Sequence, residues 1–149
     1  ETLQINDLVG DIVRSWGATH PQIDLHISLL EEDANLQADA VRLQQILSNL
    51  LTNAEQAMDG SGTIHVTLQT EKHFIIVDVQ DSGCGIPLAE QPFIFERFYR
   101  GEQKKYKIRG LGLGLALSKM MAQSIGGDLT LVNSTAHGTT FRLKLVKTF

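Results

Sequence analysis

From Arg109 to Leu117 the chain reads RGLGLGLAL, with glycines at 110, 112 and 114 alternating with leucines and running straight into a helical pattern, Ala116 to Met121. No other stretch constrains the backbone so closely. A glycine-rich turn that feeds a helix leaves several backbone N–H groups unpaired and aligned, with the positive end of the helix dipole behind them. Such a place attracts phosphate. It is not a Walker A loop, because no Gly-Lys-Ser/Thr follows, and it is not the dinucleotide fingerprint, because its third glycine falls one position early. Plain turn chemistry would give the same residues, so the weight of the motif comes from its surroundings.

One of those surroundings is charge. The chain carries 13 Lys and Arg against 17 Asp and Glu, a net charge of −4 that gives no reason to expect nucleic acid. Arg97 to Arg109 nevertheless holds six basic residues and one acid, Glu102, for +5, while seven basic and sixteen acidic residues elsewhere give −9. A basic segment next to a phosphate-binding turn suits an anionic ligand; alone it would read equally as a solvated loop. The 149 residues, 42% of them apolar, suffice for one core. No apolar run of about 18 residues or more and no signal-peptide pattern is present, so no direct membrane contact is expected. The single cysteine, Cys84, excludes an internal disulfide and fits a reducing compartment. Because the chain starts at Glu1, it is expected to be a piece of a longer protein.

In order along the chain, Leu3, Ile5, Leu8, Ile12 and Val13 predict a short strand leading into a helix that ends near Gly17. Ile23, Leu25, Ile27 and Leu29 predict a half-buried strand with His26 on its polar face, and a short return strand is expected around Ala34 to Ala38. Asp39 is a plausible N-cap for the longest helix, which runs to about Met58. Leu43, Ile46, Leu47, Leu50, Ala54 and Ala57 form its apolar stripe. Asn49 and Asn53 lie one turn apart on the edge of that stripe, on the same side as Arg42 and Gln56. Asparagine is a poor helix former, so two aligned there point to amides offered to a ligand, the alternative being satisfied structural groups. Ile64, Val66 and Leu68 alternate in the next strand, Lys72-His73 marks a hairpin, and Phe74 to Gln80 returns. Extending that alternation puts Asp81 inward, where a carboxylate needs a donor. It either caps the turn Ser82-Gly83-Cys84-Gly85 or accepts from a ligand amino group. Gly83 and Gly85 keep the turn free of side chains, leaving room for a flat ring. Phe93, Phe95, Phe98 and Tyr99 predict one helical turn at a pocket rim. The helix after Gly114 should stop at Gly126-Gly127. Two final strands follow, one on Leu129 and Leu131 and one on Phe141, Leu143 and Leu145. No internal boundary divides residues 1–149.

The order of an Asn-bearing helix, an inward Asp with glycines, aromatics, a basic loop and a glycine-rich helix entry closely resembles the catalytic, ATP-binding domain of sensor histidine kinases. That superfamily is shared with type II topoisomerases, a heat-shock chaperone and the mismatch-repair ATPases. LQQILSNLLTNAEQAM is similar to its N box, DSGCGI to its first glycine box, IFERFYR to its F box, GLGLGLAL to its second glycine box and GTTFRLKL to its last strand. The resemblance implies a two-layer α/β sandwich of Bergerat type, with a mixed, mostly antiparallel sheet, helices on one face and a mobile lid. It also implies ATP and Mg²⁺ as ligands. Asn53 would hold the metal, with Asn49 beside the phosphates. Asp81 would accept from the adenine amino group, with Gly83, Gly85 and Ile86 shaping the ring site. Tyr99 and Arg100 would contact the nucleotide at the rim. Gly110, Leu111, Gly112, Leu113, Gly114 and Leu115 would present the phosphate-binding turn, and Thr140 would support adenine from the last strand.

Two departures from the family pattern stand out. Gln56 occupies a position where many members have a Lys, so one phosphate contact would be weaker or taken over by the lid. The lid, Gly101 to Arg109, is short and Lys-rich, with Lys104 and Arg109 among the candidates for the γ-phosphate. None of His20, His26, His65, His73 or His137 has the context of the family's phosphoacceptor, and no catalytic side chain is assigned in this chain. The resemblance therefore implies a domain that supplies Mg·ATP to a histidine on an adjoining dimerisation domain, with a response regulator downstream in a two-component phosphorelay. A cytoplasmic location is implied, the parent being soluble or membrane-anchored. The rivals are an ATPase of the same superfamily and a nucleotide-dependent interaction module that transfers no phosphate.

Overall fold

The computed structural model describes residues 2–37, 39–96 and 114–148. Its elements run β1 (Thr2–Gln4), α1 (Ile5–Ala18), β2 (Ile23–Ser28), β3 (Asn35–Gln37), α2 (Ala40–Ala57), β4 (Gly62–Thr70), β5 (Phe74–Asp81), a 3-10 turn (Gln91–Phe93), α3 (Gly114–Ser124), β6 (Asp128–Thr135) and β7 (Gly138–Thr148). The strands form one sheet in the order β1-β3-β7-β5-β4-β2, with β6 also paired to β7. Every pairing is antiparallel except β2 with β4, so the sheet is mixed and mostly antiparallel. The helices cover one face, and the architecture is the expected two-layer sandwich.

The sequence dictates most of this locally. Asp39 caps α2, its Oδ1 accepting from Val41 N at 2.9 Å and Arg42 N at 3.3 Å, which satisfies two of the helix's orphan donors. Leu43, Ile46, Leu47, Leu50 and Leu51 are at most 1% exposed and turn one side of α2 onto β4 and β5. The facing strands contribute Ile64 and Val66, Ile75 and Val77, and Leu143 and Leu145, each at alternate positions. At about 1.5–3 kcal/mol per buried aliphatic side chain, this interface is the main source of stability. The C-terminal end of α3 also follows expectation: Gly126, at φ +82°, stops the helix, and Gly127 N closes on Ala122 O at 2.9 Å.

Two features go beyond the sequence reading. The return strand does not fold back on β2. It pairs with β1 and with the end of β7, at the opposite edge of the sheet, while β2 pairs in parallel with β4. A three-residue strand has too few side chains to specify its partner, and the choice falls to the long β7, whose last residues have a free edge there. Asp78, the one acid in an otherwise apolar strand, faces Arg142 in register on β7, with bonds of 2.9 and 3.0 Å from Nε and Nη2. That bidentate pair lies on the sheet's outer face, away from the helices, and raises the guanidinium pKa.

Candidate functional site

Asp81 ends β5 on the helix-covered face, as the alternation of Ile75, Val77 and Val79 requires, and is 4% exposed. Its Oδ1 accepts from Gly83 N at 2.8 Å and from Thr139 N at 3.2 Å. Both donors use that one oxygen; among the described residues Oδ2 has no hydrogen bond and no cation is paired with the carboxylate. Burial pushes the carboxyl up to about 6, the two backbone donors offsetting only part of the shift. The group is thus held in place by one oxygen, and the other remains for a ligand.

The turn after Asp81 is pinned on both sides. A Cβ on Gly83 would sit 2.7 Å from Ala57 O, the carbonyl to which Cys84 N donates at 3.3 Å. Gly85 has φ +80°, and a Cβ there would overlap Thr135 O. Ile86, 4% exposed, donates its N–H to Ser134 Oγ at 2.7 Å, and Ser134 Oγ lies 2.7 Å from Thr139 Oγ1. The glycines are therefore required because the turn is wedged between the end of α2 and the β6–β7 hairpin. Space for a ring is not where a Cβ at either glycine would go, because the backbones of Ala57 and Thr135 fill it.

Register separates two neighbouring threonines. Gln80 faces Thr140 across β5 and β7, so Asp81 faces Thr139. Thr139 is 1% exposed on the face of Phe141, Leu143 and Leu145 and donates its backbone N–H to Asp81. Thr140 alternates to the outer face with Arg142. The strand residue beside Asp81 is thus Thr139, found by counting back by twos from Phe141, while Thr140, expected to support adenine, is the next residue along β7. Ser134 and Ser118 were also missed, and neither carries a local sequence signal.

Asn49, Asn53 and Gln56 lie within about 60° of one another around α2, at about 100° per residue. Asn49 Nδ2 donates to Ser118 Oγ at 3.3 Å, tying α2 to the second turn of α3. Asn53 is 7% exposed, and its amide makes no hydrogen bond among the described residues. Gln56 Oε1 is fully buried without a partner among the described residues. The row runs from the start of α3 at Asn49 to the Asp81 turn, which abuts Ala57. Among the described residues nothing lies within 4 Å of where a Cβ on Gly114, the first residue of α3, would sit, while Leu115 is 3% exposed. Of the aromatic segment, Phe93 ends the 3-10 turn and is exposed, Phe95 packs edge-on against Phe141 at 6.0 Å, with Lys119 Nζ over its ring at 4.8 Å, and Phe98 lies outside the described residues. Tyr99, Arg100, Lys104, Arg109, Gly110, Leu111, Gly112 and Leu113 lie outside the described residues.

The model of the family described as histidine kinase-, DNA gyrase B- and HSP90-like ATPases matches residues 38–148. The chain belongs to this ATPase family. Among curated proteins it is 33% identical over 144 residues to the sensor histidine kinase RppB of Synechocystis, covering 95% of this chain and 32% of that protein. It is 30% identical over 149 residues to the sensor histidine kinase WalK of Bacillus subtilis, covering 97% and 24%. The chain thus spans a third or less of these relatives. Among solved structures, the catalytic domain of histidine kinase ThkA in a nucleotide-free form superposes with a TM-score of 0.83 at 27% identity, covering 100% of this chain and 99% of that one. In this member of the ATPase family, the turn after Asp81 abuts the end of α2 at Ala57, and Asn49, two turns earlier, is tied to Ser118 of α3.

Proposed function

We propose that residues 1–149 are the single catalytic unit of a sensor histidine kinase, binding Mg·ATP and passing the γ-phosphoryl group to a histidine on an adjoining dimerisation domain. A response regulator would then receive it in two-component signalling. The observation that carries the reading is the Asp81 carboxylate: buried, fixed through Oδ1 by two backbone donors, and left with Oδ2 for an amino group. Adenine supplies that donor at N6, whereas guanine offers a carbonyl there. Full-length ShkA, which shares the fold at TM-score 0.81 and 23% identity, was solved with AMPPNP.

Asp81 orients the base, and the turn from Gly83 to Ile86 shapes its site. Asn53, Asn49 and the first N–H groups of α3 line the route to the phosphates. Mg²⁺ favours oxygen ligands and keeps several waters. The unpaired Asn53 amide and the orphaned Gln56 oxygen fit such an ion, whereas no group of three or more His, Cys, Asp or Glu among the described residues is arranged to hold one. When bound, the ion would supply charge neutralisation for the transferring phosphoryl. The chain's own task is positioning. Asn49 can hydrogen-bond a water but cannot take its proton, and Glu55, the one acid on α2, faces His20, just beyond the end of α1, at 3.7 Å. Among the described residues hydrolysis is therefore left without a base, and ATP would persist until the histidine arrives.

No helix among the described residues is long and apolar enough to cross a membrane. The unit is placed in the cytoplasm, where ATP is available, with the parent either soluble or membrane-anchored. Titrating the 149-residue chain with Mg·ATP and Mg·GTP tests the nucleotide assignment. ATP should bind at least tenfold tighter, and equal affinities would sink it.

A further inference from the structure

β2 (Ile23–Ser28) ends the sheet: it pairs with β4 on one side, and no strand among the described residues pairs with its other side. Free edge strands are commonly blunted by a lysine, a proline or a bulge, because their unpaired N–H and C=O groups template another chain. β2 has none of these. Its sequence is Ile-Asp-Leu-His-Ile-Ser, and its register with β4 runs unbroken from Ile23 opposite Gly62 to Ser28 opposite Thr67. Leu25 and Ile27 pack against the core but stay half-buried. Asp24 and His26 alternate to the outer face, their side chains 68% and 52% exposed. His26 Nε2 lies 3.0 Å from Asp24 Oδ2, and the His26 ring stacks on His65 of β4 at 4.8 Å. The contact between Asp24 and His26 uses one oxygen and one ring nitrogen, so each group keeps a second polar atom outside it.

We infer that β2 is the contact strand for a second copy of this chain, the two β2 strands pairing antiparallel about Leu25 so that each copy's Asp24 stands opposite the other's His26. The contact is independent of the nucleotide site. A two-fold axis normal to the sheet makes the interface self-complementary, and directly opposed residues then share a face. Centred on Leu25, the axis sets Ile23 against Ile27 on the inner face and Asp24 against His26 on the outer one. Centred on Asp24 or on His26, it would set like groups directly opposite each other, which destabilises a pair of strands. The polarity of Ile-Asp-Leu-His-Ile thus selects one register. It also selects the occupant, because a copy of the same strand supplies the acid and the histidine in the order the edge requires. One strand edge is a small contact, so the association is weak and counts where copies meet at about millimolar effective concentration.

The test is sedimentation velocity of the 149-residue chain up to about millimolar concentration, with the melting temperature of each variant as a control for folding. Wild type should self-associate. Asp24→Lys makes the outer row of β2 basic, and His26→Glu makes it acidic. Each variant alone should self-associate at least about tenfold more weakly than wild type, two attractive pairs having become repulsive. Mixed one to one, the variants oppose the new lysine to the new glutamate and the native His26 to the native Asp24, so the mixture should associate at least as tightly as wild type. Wild type that stays monomeric at millimolar concentration would overturn the inference. Equal self-association of all three proteins would overturn it too, because the contact would then lie elsewhere. So would variants that weaken and do not recover on mixing, since the register that opposes Asp24 to His26 would be wrong.

Discussion

Asp81→Asn separates what the buried carboxylate does for the fold from what it does for a ligand. The side chain is 4% exposed and its pKa is raised from 3.8 to about 6, chiefly by burial. A carboxyl that holds its proton more tightly when folded contributes stability that is complete below the unfolded pKa. That contribution is lost as pH rises from 3.8 through 6, because the folded state then binds more protons than the unfolded one. The shift of roughly two units corresponds to a penalty of about 3 kcal/mol at most at neutral pH. Asparagine keeps an oxygen for the Gly83 and Thr139 N–H groups and removes the charge. The variant should therefore be more stable than wild type at pH 8, by up to about 3 kcal/mol, and the advantage should shrink toward pH 5. Thermal melts of both proteins from pH 5 to 8 measure the difference, in which the other titrating groups cancel. With Oδ1 retained by the backbone donors, the new Nδ2 replaces the free Oδ2 and presents a donor where adenine N6 also presents one. ATP affinity should fall about tenfold to a hundredfold, and the preference for ATP over GTP should vanish or reverse. A variant less stable than wild type at pH 8, or one that binds ATP unchanged, would refute the assignment of Asp81.

Other substitutions probe its neighbours. Thr139→Val removes the hydroxyl beside Ser134 and should cost about 1–3 kcal/mol in chemical denaturation, whereas Thr140→Val, on the outer face, should stay within about 0.5 kcal/mol. Gly85→Ala forces a methyl into Thr135 O at φ +80° and should cost more than about 2 kcal/mol, visible as a lowered melting temperature. The sequence from Gly101 to Arg109 has little apolar anchorage beyond Tyr106 and Ile108. Mg·ATP should raise hydrogen-exchange protection across it through the lysines and Arg109, and unchanged protection would count against a lid.

Period and punctuation made most of the fold legible in the sequence. The stripe from Leu43 to Ala57, the alternation in β4, β5 and β7, the Asp39 cap and the glycine stop of α3 each depend on residues close in sequence, so local chemistry decides them. Asp81 was legible for the same reason, since its face follows by counting from Val79. What escaped depends on partners distant in the chain. The edge chosen by β3, the pairing of Asp78 with Arg142 and the bond from Asn49 to Ser118 are settled only when strands and helices dock. That Thr139 shares the inward face follows by extending the β7 alternation back two residues from Phe141. The role of Gly83 does not, because its reason is the Ala57 carbonyl of another element. Gln56 reads in sequence as a missing charge; only the packed structure shows a buried oxygen without a donor among the described residues.

The most direct test of the account is phosphate release by the purified 149-residue chain with Mg·ATP, alone and then with the parent's dimerisation domain added in trans. General-base assistance typically contributes about 10²–10⁴-fold, and Asn49 cannot provide it. The account predicts tight ATP binding with negligible turnover alone, and acid-labile phosphate appearing on the added domain. Brisk hydrolysis by the chain alone, with no phosphate on the added domain, would contradict it.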